Sequence, residues 1–308
     1  MRIEKLNQTT KKNLLEDLLK RSPNSYEMYE EQVKAILDNV KKRGDEALFE
    51  YTEKFDGFCL DQQSVLVKEE EIEEAYTQVD RGLIEIIRKA LKNIETYHEK
   101  QRQYSWFDSK PDGTILGQKV TALDRVGVYV PGGKAAYPSS VLMNIVPAKT
   151  AGVREIIMVT PPGKDGKVTP TTLVAAKEAG ADKIYKVGGA QAIAALAYGT
   201  ESISKVDKIV GPGNIYVALA KKAVYGHVSI DSIAGPSEIL VLADETANPR
   251  YVAADLLSQA EHDEMASAIL VTVSMELAEK VSEQTELFIS QLSRGEIIRK
   301  SLDNYGHI

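Results

Sequence analysis

The sequence predicts an α/β fold with Rossmann-like parallel sheets, helices on both faces of the sheets, and a helical N-terminal segment. Residues 1 to about 105 are rich in charged side chains, and their apolar residues recur at the spacing of amphipathic helices. From Arg125 onwards, short apolar runs alternate with alanine-rich segments. Such alternation is typical of βαβ units, which align strands in parallel and place helices over both faces of the sheet.

The N-terminal segment is predicted to contain five charged helices. Gly44 ends the second of them, because glycine commonly terminates helices. The acidic residues 69–74 begin the fourth helix, where carboxylates face the positive end of the helix dipole. Residues 106–117 are rich in Asp, Ser, Lys, Pro and Gly, which indicates a linker or β-turn region. The predicted helices are 11–20, 26–42, 46–54, 69–79 and 83 to about 104.

Beyond Arg125, predicted strands alternate with predicted helices. The strands are expected at 126–130, 155–160, 183–187, 208–210, 238–243 and 268–273. The helices are expected at 140–151, 171–179, 190–198, 215–225 and 250–260.

Length and composition narrow the class of protein. A chain of 308 residues is long enough for two domains with buried cores. Its 38 basic and 45 acidic residues give a net charge of −7, which argues against nucleic acid as a partner. Cys59 is the only cysteine, which excludes an intrachain disulfide and a cysteine-based zinc site. Residues 1–21 lack an apolar run of signal-peptide or membrane-span length, so we expect a cytoplasmic protein that does not bind membranes.

At three places a predicted strand runs into glycines and then into a helix. Glycine lets a ligand approach the backbone closely, and the N–H groups at the start of the next helix suit a pyrophosphate. None of the three segments has the G-x-G-x-x-G pattern of dinucleotide-binding turns, so ordinary tight turns are the alternative. The segments are PGG at 131–133, GGAQ at 188–191 and GPGN at 211–214.

One pair of side chains has the spacing of metal ligands. Asn248 and Pro249 are typical of a helix start, and the alanine- and leucine-rich run that follows predicts that Gln259 and His262 share one helix face. An amide oxygen and an imidazole can hold a metal, but zinc needs about four ligands. The alternative is that His262 is a C-terminal cap or a hydrogen-bonded surface residue.

The order and spacing of six sequence blocks resemble the histidinol dehydrogenase family. The blocks are RVGVYVPGG at 125–133, YPSSVLMN at 137–144, VGGAQAIAALA at 187–197, GPGN at 211–214, DSIAGPSE at 231–238 and SQAEHD at 258–263. The segments GDEAL at 44–48 and FDG at 55–57 are also similar to the family, less distinctively.

The resemblance implies an activity and its cofactors. Histidinol dehydrogenases oxidise L-histidinol to L-histidine through histidinaldehyde, with two NAD molecules and one Zn²⁺ per subunit, as homodimers in histidine biosynthesis. The matching positions imply NAD contacts at Tyr129, Gln191 and Asn214. They further imply substrate contacts at Ser237, Gln259 and His262, of which Gln259 and His262 also bind the metal.

The resemblance also implies a domain division and a shortened chain. Residues 1–124 would form a helical region that contributes to a first α/β domain, residues 125–236 a second, NAD-binding Rossmann-like domain, and residues 237–308 a return to the first domain. The family's Glu-His base pair, the remaining zinc ligands and further substrate contacts would lie beyond Ile308. We therefore expect a shortened form with little or no activity of its own.

Two other classes of function stay open from the sequence. Another NAD-dependent aldehyde or alcohol dehydrogenase would use Cys59, whose thiolate would need positively charged surroundings. A noncatalytic α/β module would bind a small molecule without zinc. The histidines at positions 98, 227 and 307 offer no replacement for the family's base.

Overall fold

The computed structural model describes residues 1–19, 27–132, 138–233 and 238–308. These residues form two compact units, one comprising Met28–Ile233 and the other Met1–Glu27 together with Ala234–Ile308. The helices are α1 (Gln8–Leu19), α2 (Glu27–Arg43), α3 (Asp45–Asp56), α4 (Glu69–Gln78), α5 (Arg81–Glu99), α6 (Pro138–Thr150), α7 (Pro170–Ala179), α8 (Gly189–Tyr198), α9 (Ile215–Val224), α10 (Pro249–Ala260), α11 (Met275–Ile289) and α12 (Gly295–Tyr305). The strands are β1 (Trp106–Ser109), β2 (Ile115–Gln118), β3 (Arg125–Tyr129), β4 (Glu155–Val159), β5 (Lys183–Tyr185), β6 (Lys208–Val210), β7 (Ser229–Ile230), β8 (Glu238–Ala243), β9 (Ser267–Thr272) and β10 (Gly306–His307).

A parallel sheet lies at the centre of the larger unit. In the described residues its strand order is β5-β4-β3-β6-β7. Val126 in β3 lies opposite Ile156 in β4 on one side and Lys208 in β6 on the other. Chain order therefore reverses between β3 and β6, and in open parallel sheets the crevice at such a switch point is where ligands bind.

Helices cover both faces of this sheet. On one face, side chains such as Val128 and Met158 belong to a core that also contains residues of α4, α5, α6 and α7. On the other face, α8 contacts β3 and β6 and packs against α9. The approach of α8 is close because Gly127 has no side chain: a Cβ there would lie 2.8 Å from a terminal methyl carbon of Leu196. The predicted α/β class is confirmed.

The helices before β1 group with this sheet, which differs from the expected division of the chain. The family resemblance implied that residues 1–124 contribute to the other domain, whereas α2 to α5 fall in the same compact unit as β3 to β7. Ile72 of α4 and Ile87 of α5 are buried in the core beneath α6 and α7. Helices α4 and α5 belong to the larger unit because their apolar residues are buried against this core.

Residues predicted as a linker or a β-turn region form a hairpin, which agrees with the second alternative. Strands β1 and β2 pair antiparallel, with Trp106 opposite Gln118, and all residues of both strands are exposed. Residues 110–114 connect the two strands, and Gly113 among them has a φ of 86°.

The smaller unit contains a parallel sheet with the order β10-β9-β8 in the described residues. Side chains of α10, α11 and α12 form its core with β9 and the inward residues of β8. Strand β10 follows α12 directly, and its Gly306 pairs with Ala268 of β9. Among the helices in the described ranges, none has both the length and the apolarity to cross a membrane.

Candidate functional site

A cavity of about 790 Å³ lies in the larger unit, beside the switch point of its sheet. Its wall includes residues that follow the carboxyl ends of four strands: Tyr129 of β3, Pro161 after β4, Gln191 after β5 and Asn214 after β6. The volume falls in the range of small-molecule and cofactor pockets. The three residues for which the family resemblance implies NAD contacts therefore line one cavity.

The turn after β6 is held tightly against β3. Gly211 has a φ of 110°, and a Cβ there would lie 2.0 Å from the carbonyl oxygen of Tyr129. The buried Lys221 donates from Nζ to the Gly211 carbonyl (2.9 Å) and forms an ion pair with Asp231. The Gly211 N–H donates to Asp231 Oδ2 (2.8 Å). Only glycine can adopt this backbone conformation so close to β3. The ion pair between Lys221 and Asp231 holds the turn in this position.

Asn214 ends this turn and begins α9. Its Oδ1 accepts a hydrogen bond from the N–H of Val217 (3.2 Å), which caps the helix. Because the oxygen is engaged in the cap, the Nδ2 group is the part of this side chain that can donate to a ligand.

The turn after β5 brings two glycines against the cavity wall. Gly189 has a φ of 64°, and its N–H donates to the hydroxyl oxygen of Tyr129 (3.2 Å). A Cβ at Gly188 would lie 2.6 Å from the Cβ of Pro161. Tyr129 is 3% exposed, and burial raises the pKa of its hydroxyl to about 12. The phenol therefore stays neutral, with a proton to donate, at physiological pH.

Gln191 is the least satisfied polar side chain on this wall. It is 1% exposed, and neither Nε2 nor Oε1 has a hydrogen-bond partner among the described residues. Leaving a buried polar group unpaired costs about 1–3 kcal/mol. A ligand with donors and acceptors would recover that cost, so the residues present fit a dinucleotide such as NAD.

The cavity is also lined by a carboxylate that has no role in the sequence-based prediction. Asp56 is the last residue of α3 and lines the same cavity as Tyr129 and Gln191. Its Oδ2 is shielded from solvent and has no hydrogen-bond partner among the described residues. The FDG segment at 55–57 resembles the family, but no local sequence pattern predicts that α3 ends at this cavity.

The proposed metal ligands lie in the smaller unit and differ from the expected geometry. Helix α10 ends at Ala260, so His262 lies in the following turn, where its N–H donates to the carbonyl of Gln259 (3.1 Å). Gln259 is half-buried and His262 is exposed. Across the described ranges, no group of three or more His, Cys, Asp and Glu side chains is placed to hold a metal. The described residues therefore do not fit a complete zinc site, and Ser237 lies outside them.

Cys59 lacks the surroundings of a reactive thiol. It is exposed, and a hydrogen bond to the Glu53 carboxylate raises the pKa of its thiol. A nucleophilic cysteine needs the opposite shift, produced by a nearby positive charge or a helix N-terminus. This geometry argues against an aldehyde dehydrogenase that uses Cys59.

Comparison with known proteins identifies the family. The model for histidinol dehydrogenase matches residues 19–308 of this chain. The chain belongs to the histidinol dehydrogenase family. Curated histidinol dehydrogenases from Bacillus subtilis and Clostridium acetobutylicum are 62% and 63% identical to it over 276 residues, which is 90% of this chain. A crystal structure of histidinol dehydrogenase from Elizabethkingia anophelis matches with a TM-score of 0.90 and 38% identity, covering 100% of this chain.

This histidinol dehydrogenase family chain spans 64% of the length of each of those two curated relatives and 70% of the Elizabethkingia chain. The family likeness inferred from the six sequence blocks is thus confirmed. The roles of the individual site residues in NAD, substrate and zinc binding stay predictions.

Proposed function

We propose that this chain provides the NAD-binding part, and two of the metal and substrate contacts, of a histidinol dehydrogenase. The complete enzyme would oxidise L-histidinol to L-histidine through histidinaldehyde with two NAD molecules, as the final step of histidine biosynthesis. It would act as a cytoplasmic homodimer with one Zn²⁺ per subunit. The family membership supports the reaction class, and the cavity beside the sheet's switch point supports the dinucleotide.

Gln191 carries this proposal. A buried amide without a partner lowers stability unless a ligand completes its hydrogen bonds. The neighbouring Tyr129 hydroxyl can donate a proton, and its ring is part of the wall. Asn214 offers Nδ2 from the other side of the switch point. Bound NAD would supply the electron acceptor of the reaction, while these side chains would bind and orient it.

NAD binding to the 308-residue chain tests the proposal. Titration calorimetry should detect binding, and Gln191→Leu should weaken it about tenfold or more while leaving the unfolding temperature equal or higher. Gln78→Leu, on the exposed surface of α4, is the matched control and should leave binding unchanged. A Gln191→Leu chain that binds NAD normally would contradict the assignment.

For zinc, we propose two ligands from this chain. Gln259 would contribute its amide oxygen and His262 a ring nitrogen, with Ser237 contacting substrate. Glutamine is an uncommon zinc ligand, so this pair should bind zinc far more weakly than a full-length relative does. Equilibrium dialysis can measure this, and tight stoichiometric zinc that survives His262→Ala would exclude the assigned ligands.

A further inference from the structure

Helix α3 is fixed at its start by a buried carboxylate. Asp45 accepts hydrogen bonds from the N–H of Ser202 (3.2 Å), the hydroxyl of Ser202 (2.6 Å) and Nε2 of Gln62 (3.2 Å). The Asp45 N–H donates to the carboxylate of Glu201 (2.8 Å). These contacts anchor the helix to the loop that follows α8. The orientation of α3 is therefore set at its first residue, and its last residue is held at the cavity.

That last residue, Asp56, carries three unfavourable features. Its Oδ2 is buried without a hydrogen-bond partner among the described residues. Burial raises the pKa of the Asp56 carboxyl to about 6, so at physiological pH most of it carries a charge that is costly to keep there. A carboxylate at a helix C-terminus also faces the negative end of the helix dipole. Groups that lower stability in this way concentrate at functional sites.

The chemistry of the cavity wall indicates what would satisfy this carboxylate. An ionised carboxylate only accepts hydrogen bonds, so its partner must bring donors. Gln191 on the same wall can both donate and accept. Hydroxyl groups meet both needs, and a ribose presents two adjacent hydroxyls. In other dinucleotide-binding folds with this kind of switch point, an acidic side chain accepts a hydrogen bond from a ribose hydroxyl.

On the basis of the NAD site proposed above, we propose that Asp56 binds the ribose of the dinucleotide by accepting hydrogen bonds from its hydroxyl groups. The carboxylate reaches the cavity from α3, outside the sheet, and not from a strand end. Its burial is unfavourable in the free protein and becomes favourable when the ribose donors are in place.

Asp56→Asn tests this contact with little change in shape. Its dissociation constant for NAD should rise about tenfold or more, because a charge-assisted acceptor is lost. The control Glu73→Gln changes an exposed carboxylate of α4 outside the cavity and should leave the NAD affinity within about twofold. Without ligand, the Asp56→Asn chain should unfold at the same or a higher temperature at pH 8, whereas loss of a purely structural carboxylate would lower it. Asp56→Ser provides a second variant if the first folds poorly.

Ligand analogues identify the group that Asp56 contacts. NAD analogues that lack the 2′- and 3′-hydroxyls of one or the other ribose should be titrated against the original chain and Asp56→Asn. For one analogue the effect of Asp56→Asn should shrink to less than about threefold, because the hydroxyl partner is already absent. If Asp56→Asn weakens the binding of both analogues as much as that of NAD, or if Asp56→Asn and the original chain bind NAD equally well, the ribose contact is overturned. The proposed NAD site is unaffected by either result. Absence of NAD binding to the original chain overturns both.

Discussion

The two parallel sheets of this protein differ in how their faces are covered. In the larger unit, four of the five residues in β3 and in β4 are buried, because helices lie on both faces. In the smaller unit, β8 alternates between exposed and half-buried residues, and Leu240 and Leu242 are 63% and 78% exposed. Helices α10, α11 and α12 pack on the face formed by the other residues of β8.

This difference accompanies a second one, since the larger unit contains a cavity lined by the proposed cofactor contacts and the smaller unit has an exposed sheet face. The larger unit buries its sheet and positions Tyr129, Gln191 and Asn214 around one cavity. The smaller unit presents apolar side chains on an open sheet face, and its two proposed metal ligands have no completing group among the described residues. We therefore expect the larger unit to bind the cofactor by itself. We expect the exposed sheet face of the smaller unit to cause self-association of the chain.

The largest expected effect concerns catalysis. The 308-residue chain should bind NAD yet show no measurable oxidation of histidinol, because the assigned side chains include no general base and the described residues complete no zinc site. General-base catalysis alone contributes roughly a hundred- to ten-thousand-fold. NADH formation with zinc and histidinol is the measurement, with a full-length relative as the positive control. Robust turnover would show that the chain does contain a complete catalytic site. NAD binding without turnover also fits a noncatalytic binding module.

A large effect on stability is expected at the turn that shapes the cavity. Gly211→Ala should destabilise the larger unit by about 2–5 kcal/mol, since it combines a left-handed backbone with a contact against the rigid Tyr129 carbonyl. Gly226→Ala is the matched control: its φ is 95°, but nothing lies within 4 Å of the added carbon, so a cost of about 1–2 kcal/mol is expected. Urea denaturation measures both. Equal costs would show that the close approach of Gly211 to β3 has no energetic importance.

An intermediate effect is expected on self-association. Exposed apolar surface and unpaired strand edges favour association, so the chain should form ill-defined oligomers through the open face of β8. Leu240→Lys should shift the eluted mass in size-exclusion chromatography toward the monomer. Ile86→Lys, at an apolar residue of similar exposure on α5, should not.

Limited proteolysis should also distinguish the larger unit from the smaller one. Cleavage concentrates where backbone is exposed and poorly packed, so a resistant fragment should cover the larger unit, Met28–Ile233. A monodisperse dimer that resists protease along its whole length would mean that both units are equally well covered.

The smallest expected effect is a pH-dependent one at Asp56. Because the folded-state pKa of about 6 lies above the unfolded value of an aspartate, the protonated carboxyl is favoured in the folded state. Its contribution to stability is fully present below about pH 4 and is lost as pH rises through about 6. Asp56→Asn should therefore stabilise the ligand-free chain by about 1 kcal/mol at pH 8, after allowing for solvent screening, and by almost nothing at pH 4. Thermal unfolding at the two pH values measures the difference, and equal effects would contradict it.

Most of the local structure could be predicted from the amino-acid sequence, and the family likeness added three residues of the cavity. Apolar runs and alanine-rich segments predicted β3, β4, α8 and α9 to within about two residues, because side-chain periodicity reflects which face of an element is buried. Glycines after strands predicted where a ligand could approach, since positive φ angles and close contacts require them. Tyr129, Gln191 and Asn214 came from the family likeness, and parallel strand ends bring them together.

The sequence did not predict which helix faces pack together when they are far apart along the chain. The chain order does not reveal that α4 and α5 are buried against α6 and α7, or that α3 delivers Asp56 to a wall built more than 70 residues later. Periodicity is a property of neighbouring residues, whereas the pairing of apolar faces and the burial of an unpartnered carboxylate depend on contacts across the whole fold.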